Sequence, residues 1–141
     1  MSLNRLRTKY SKMSNEILEA AIAHYIGWYR LSDEETHQLK LPFGIWCASD
    51  GSFCMSPPNW CGSLDACLED CWPHLYSRGF GLSMNVGYDR ATYVYVYVYK
   101  HMIRADTRAD TEEDLARAFC EAFLEVCERL ETVVAKGGDY D

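Results

Sequence analysis

The sequence is poor in the features that most directly announce a function. No apolar run approaches the roughly 20 residues of a membrane span. The stretch from Leu3 to Met13 is charged and leads into no apolar core, so it does not read as a secretory signal. There is no GxSxG elbow, no P-loop and no GxGxxG, and the pair Gly79 and Gly81 has no third glycine. Nucleophilic hydrolysis, phosphate-loop chemistry and dinucleotide binding therefore find no support. No CxxC pair occurs among the seven cysteines, although structural zinc sites usually contain one.

Basic charge is also scarce outside one segment. Arg5, Arg7, Lys9 and Lys12 occur with no acid among residues 1–13, whereas the rest of the chain is acidic and the formal net charge is −7. Proteins that wrap duplexes need clustered Lys and Arg, so this balance argues against nucleic acid as the partner. The 141 residues suit one domain with a sizeable core. Residues 1–13 are expected to form a flexible basic leader, 14–136 a single α+β domain and 137–141 a flexible tail. A cytoplasmic location follows as the expectation, with the cysteines kept as thiols.

What the chain has in abundance is strand signal in one place. In Tyr93-Val94-Tyr95-Val96-Tyr97-Val98-Tyr99 the period of two is unbroken. Successive strand side chains point to opposite faces, so Tyr93, Tyr95, Tyr97 and Tyr99 share one face and the valines the other. The valine face requires an apolar cover. The tyrosine face can be covered by a helix, lie half wet or bind a partner.

The rest is ordered around that strand. Ser14 is a good N-cap for a helix running to about Arg30. Leu31 to Leu41 reads as a polar loop or a short helix. Asp50-Gly51 between apolar residues signals a two-residue hairpin. That turn would place Cys47 opposite Cys54 and put Trp46, Ala48, Phe53 and Met55 on one side. Ser63 caps a second helix with the apolar stripe Leu64, Cys67, Leu68, Cys71, Trp72 and Leu75, and Pro73 is expected to end or kink it at Trp72. Phe80, Leu82, Met84 and Val86 alternate with small or polar residues and predict a strand that hairpins into the Tyr/Val strand. Arg104 to Asp110 reads as a polar loop. Thr111 then caps a long helix with the stripe Leu115, Phe119, Ala122, Phe123, Val126, Leu130 and Val133, ended by Gly137-Gly138. The order α-ββ-α-ββ-α predicts a four-stranded antiparallel sheet with three helices, layered as an α-β-α sandwich.

The segment Pro58-Asn59-Trp60-Cys61-Gly62-Ser63-Leu64-Asp65-Ala66-Cys67 resembles the phage ABA sandwich domains, small proteins of phages and prophages. In these, a proline-containing stretch with an aromatic residue leads into a Ser/Thr-Leu-Asp-Ala helix start, and two strands and a final alanine-rich helix follow. Here that helix is 111–136, and the resemblance covers about 14–136. It implies a sheet layered between helices and supplies no catalytic residues. The cysteine content and the Tyr/Val strand depart from the pattern.

Three functions are weighed. The first is a non-enzymatic phage or prophage accessory protein that binds a host or phage protein, with self-association compatible. The second is a binder of a small nucleotide-like ligand, using Tyr93, Tyr95, Tyr97 and Tyr99 or a pocket around Trp46 and Trp60; His101 continues the tyrosine face. The third is a metal protein using Cys47, Cys54, Cys61 and His74. Cys67, Cys71, Cys120 and Cys127 sit on or beside apolar stripes and read as core. Glu34 and His37 have metal-ligand spacing, but lie in an exposed acidic turn. No catalytic residue, membrane contact or cofactor is expected.

Overall fold

The structure is a computed structural model that describes residues 9–135. Ser14 does begin the first helix: its Oγ accepts from the Ile17 N–H at 3.3 Å, and α1 runs Asn15–Tyr25. The helix stops short of Arg30 because Gly27 adopts φ 91°, a left-handed conformation that glycine enters without Cβ strain. The chain emerges extended, and Tyr29–Arg30 forms β1. Ser32 and Glu35 then make a reciprocal capping box at the start of α2, Asp33–Leu39.

The next hairpin pairs β2 (Trp46–Cys47) with β3 (Phe53–Cys54), and β1 adds to β2 to complete a small antiparallel sheet. Its register differs by one residue from the expected one. Cys47 stands opposite Phe53, and Cys54 opposite Trp46. The turn explains the slip. Gly51 N–H donates to the Ala48 carbonyl at 2.9 Å, Ala48 N–H donates to Ser52 at 2.8 Å, and Gly51 has φ 89°. That is a three-residue loop with a left-handed glycine, not a two-residue turn, and Asp50 fixes it by accepting from the Ser52 N–H and hydroxyl. One residue of slip moves every side chain to the other face. Cys47 and Cys54 consequently do not oppose each other, and all seven cysteines are free thiols.

Ser63 caps α3, residues 64–76, by accepting from Ala66 N–H at 3.2 Å. Pro73 does not end this helix. Cys67–Cys71 forms a π-turn in which Trp72 N–H reaches back to the Cys67 carbonyl, and Trp72–Tyr76 continues as α-helix. The widened turn takes up the proline, which lacks an N–H and would crowd the carbonyl four residues back in a regular helix. Both Cys67 and Cys71 end up facing the core.

The larger sheet is a meander of β4 (Gly81–Val86), β5 (Thr92–Val98) and β6 (Ile103–Ala109). β6 occupies the stretch expected to be a loop. Its core side is Ile103, Ala105, Thr107 and Ala109, all buried, and its other side carries Arg104, Asp106 and Arg108. Three of the four inward residues are small or polar, which hides the period of two. Thr107 belongs there because its hydroxyl donates to the Ala118 carbonyl at 2.6 Å.

The last helix, α4 (Leu115–Ala135), follows a short 3-10 turn at Glu112–Asp114, with Thr111 Oγ1 bonded to the Asp114 carboxylate. Phe119, Phe123, Val126 and Leu130 join Val94, Val96 and Val98 in one core with Leu18 and Ile22 of α1. The class is α+β, with four helices and two three-stranded antiparallel sheets. The four-stranded sandwich is not formed: α1, α3 and α4 gather on the valine side and the tyrosine side stays open, since none of Tyr93, Tyr95, Tyr97 and Tyr99 belongs to the core.

Part of the segment read as a flexible leader is packed. Lys9–Lys12 forms a 3-10 turn on α4, with Tyr10 buried and its hydroxyl donating to Glu128, which also pairs with Lys9 at 2.6 Å. Arg117 holds this turn from below, donating to the carbonyls of Tyr10 and Met13 at 3.0 and 2.6 Å. Residues 1–8 of the leader, the Gly137-Gly138 stop and the 137–141 tail lie outside the described residues.

Two glycines of the meander edge permit two of the tyrosines to lie down. A Cβ on Gly81 would sit 2.7 Å from the Tyr97 ring, and one on Gly87 2.7 Å from the Tyr93 ring. Gly81→Ala is expected to cost about 1–3 kcal/mol in urea unfolding, by overpacking against Tyr97. In a Tyr97→Ala background the same substitution should cost much less.

Candidate functional site

The register of the meander builds the open face residue by residue. Tyr93 stands between Asn85 and Arg108, Tyr95 between Ser83 and Asp106, and Tyr97 between Gly81 and Arg104. The Arg104 guanidinium crosses diagonally to lie 4.7 Å from the Tyr95 ring centroid, and that of Arg108 lies 5.9 Å from Tyr93. Tyr99 follows the strand, 80% exposed, with its ring 5.3 Å from Tyr97.

Each charge on this face is answered by another. Arg104 Nε donates to Asp106 at 2.6 Å, Arg108 Nε donates to Asp110 at 2.8 Å, and Arg108 lies 3.4 Å from Asp89. The Tyr93 hydroxyl donates to Asp89 at 2.5 Å. That bond, ahead of any other cause, holds the Asp89 carboxyl below its ordinary range and raises the Tyr93 phenol. The arginines are held flat over rings by carboxylates, so the face offers ordered guanidinium and phenol surfaces rather than a free cationic field.

Along the β5–β6 turn the face deepens into a groove of about 480 Å3. Tyr95, Tyr97 and Tyr99 line it together with Met102 and Arg104 from the β6 side and Ser83 and Asn85 from the β4 side. Rings and a thioether can stack on a flat group, and the hydroxyl and amide can bond its edge. No nucleophile with an adjacent base lies among these residues, so the arrangement suits binding rather than bond making.

The other predicted residues go elsewhere. Trp60 is fully buried, edge-on to Trp28 at 5.7 Å, with its indole N–H donating to Asp70 at 2.9 Å. It is a core residue and presents no surface to a ligand. Trp46 is half-buried in the small sheet and packs against the main core. The tryptophans therefore do not form a second aromatic pocket. His101 falls in the β5–β6 turn rather than on the strand. Cys47 and Cys54 lie in the small sheet, Cys61 in the core, and His74 beside Phe123 at 5.8 Å. Among the described residues no group of three or more His, Cys, Asp or Glu could hold a metal ion, which removes the metal reading built on those four.

Two arrangements were not legible in the sequence. One is a groove of about 530 Å3 between the ends of α1 and α3 and the last turns of α4, lined by His24, Tyr25, His74, Arg78, Cys127 and Glu131 among others. The side chains come from three distant segments; only the one-turn spacing of Cys127 and Glu131 hinted at it. Burial, and then Arg78, push His74 down to about 4, and burial pushes Cys127 up to about 12. Imidazole and thiol are thus both neutral at pH 7, the opposite of an activated nucleophile. The other arrangement is a core of thiols. Cys67 and Cys120 bring their sulfurs to 3.7 Å, and Cys67 donates to the Trp60 carbonyl at 3.0 Å. Hydrogen bonding to Cys67, and then burial, raise Cys71; bonding to Cys61 and Cys67, and then burial, raise Cys120. Beside Cys61, Glu19 accepts the Cys61 N–H at 3.1 Å, and burial raises its carboxyl.

Models of known protein families, curated proteins and solved structures were each compared with the chain, and none matches. No helix among the described residues is long and apolar enough to cross a membrane.

Two outcomes follow from this chemistry. His74 binds its proton near pH 4 in the folded chain and near 6.5 when unfolded. Between those values the unfolded state takes up more protons, so stability falls as pH drops through the window. Urea unfolding at pH 6.5 and 4 should show wild type losing about 1 kcal/mol more than His74→Gln, the half-exposed ring reducing the full effect of the shift. Thiol labelling of the native protein should modify Cys54 first, with the fully buried Cys67, Cys71 and Cys120 reacting only on unfolding.

Proposed function

We propose that the protein is a non-enzymatic binding protein and that the tyrosine–arginine face of β4, β5 and β6 is where it grips a partner protein. One observation carries this reading: Tyr93, Tyr95 and Tyr97 of β5 and Tyr99 just after it stay outside the core, and the last three floor a solvent-facing groove. Tyr and Arg are the residues that dominate binding energy at protein interfaces, since they bring large contact area with few rotatable bonds or a pre-formed fork of donors. Here their geometry is fixed before any partner arrives, which lowers the ordering cost of association. The resemblance around 58–67 supports placing the protein among phage or prophage accessory proteins, with a host or phage protein as its target. The balanced Arg and Asp pattern speaks against a polyanion.

A second reading rests on the groove itself. Its volume falls within the range of small-molecule sites, and its stacking phenol rings with the Asn85 amide and the Ser83 hydroxyl fit a flat nucleotide-like ligand.

The test is affinity capture from infected cells with wild-type and Tyr97→Ala/Tyr99→Ala protein, each checked for native circular dichroism. Loss of a captured protein by at least about tenfold in the double variant supports the first reading. Capture that is indifferent to both tyrosines overturns it. A bound small molecule released from wild type but not from the variant would favour the second.

A further inference from the structure

The outer edge of the meander carries a pattern that the tyrosine face does not explain. Among the described residues β6 pairs only with β5. The Gly87 N–H donates to the Ala91 carbonyl, which sets the phase of the β4–β5 ladder. Odd-numbered residues of β5 then bond β4 and even-numbered ones bond β6. It follows that Ile103, Ala105, Thr107 and Ala109 spend their backbone groups on β5. Those of Arg104, Asp106 and Arg108 point away from the sheet. The Arg104 carbonyl confirms the phase, since it accepts from Arg129 of α4 at 2.5 Å.

The charges on this edge read Arg104, Asp106, Arg108, Asp110, alternating at every second residue. We infer that β6 pairs antiparallel with β6 of a second copy of this chain about a two-fold axis at Thr107, joining two meanders into one six-stranded sheet. In that register Asp106 faces Arg108 of the second copy, and Arg104 faces its Asp110. All four charges per chain meet opposite charges. The outward backbone groups lie on these same residues, so each such pair also exchanges backbone hydrogen bonds. A slip of two residues either way sets Arg against Arg and Asp against Asp, and a slip of one turns a charged face against an apolar one. The sequence therefore selects a single full-length register, the requirement for a closed, isologous contact rather than open-ended edge stacking. In the isolated chain the same side chains pair within the strand, Arg104 with Asp106 and Arg108 with Asp110, and they exchange partners on association. The Asp110 N–H of the second copy replaces Arg129 at the Arg104 carbonyl. The two tyrosine faces then lie on the same side of the joined sheet.

Analytical ultracentrifugation of the full chain across the micromolar range tests this. Wild type should be a dimer that weakens with added salt. Arg108→Asp sets carboxylates opposite each other at both symmetric contacts and should raise the dimer dissociation constant about tenfold or more. Adding Asp106→Arg to that variant restores opposite charges across the axis while breaking both pairs within the strand, and it should restore the dimer. A role confined to pairing within the strand would not give this rescue. Should Arg108→Asp fail to fold, Asp106→Pro removes an outward N–H without touching the β5 ladder, and it must yield a folded monomer. A wild-type monomer at all concentrations, a dimer insensitive to Arg108→Asp, or a swap without rescue each overturn the inference. Tyr97→Ala/Tyr99→Ala leaves Arg104, Asp106, Arg108 and Asp110 in place, so a dimer of that variant that no longer captures a partner separates self-pairing from partner binding.

Discussion

The strict two-residue period of β5 is the constraint on which the rest of the structure depends. It commits Val94, Val96 and Val98 to one side, where they are buried beneath α4. Every consequence of that commitment is geometric. The helix that covers valines must bring its own apolar stripe, and the small Ala118 and Ala122 beside Phe119 and Phe123 let it come close. The tyrosines have no choice of side once the valines are placed. They extend over the flanking strands, where Gly81 and Gly87 supply the room for two of them to lie flat.

The same constraint explains how an aromatic face stays compatible with water. Tyrosine rings at a sheet surface would ordinarily invite edge or face association. Here Arg104 and Arg108 cover two of the rings and are themselves tied to Asp106, Asp110 and Asp89. A partner that displaces this lattice must replace its hydrogen bonds as well as its stacking, which raises selectivity more than affinity. Exposed ion pairs contribute little to folding stability, so the lattice is better understood as shaping the surface than as holding the fold.

Sequence was most informative where one signal dominated. The β5 period, the Ser14 and Ser63 caps and the stripe of α4 each rest on residues whose physics is local. Errors came where a local rule had a close competitor. Asp50-Gly51 fits a two-residue turn and a three-residue loop equally well, and only the pairing of Ala48 with Ser52 decides. Pro73 disrupts a helix unless the preceding turn widens, and Cys67–Cys71 widens. β6 escaped because Ala105, Thr107 and Ala109 carry little hydrophobic signal. For the site, the tyrosines were identifiable from the start, but their partners were not. Arg104 and Arg108 became visible as site residues only once β6 was a strand, since its register sets Arg108 opposite Tyr93 and Arg104 opposite Tyr97, one diagonal step from Tyr95. Trp60 misled for a plain reason: an aromatic residue in a proline-rich linker suggests a surface, and nothing local reveals that Trp28 and Asp70 enclose it.

That distribution of legibility bears on function. The parts that could be read from local pattern build the core, and the parts that required register build the open face. The thiol cluster and the His74 groove look more reactive on paper than the tyrosine face does, yet the cluster's sulfurs are fully buried, and burial keeps His74 and Cys127 of the groove neutral at pH 7. Chemistry of the bond-making kind needs a group that is both perturbed toward reactivity and reachable. In this chain the strongly shifted thiols are buried, and the groups on the open face are phenols, guanidiniums and carboxylates whose shifts come from being matched to one another. A surface of matched groups held in fixed geometry is suited to meeting a complementary surface, and that is the physical case for the binding role proposed above.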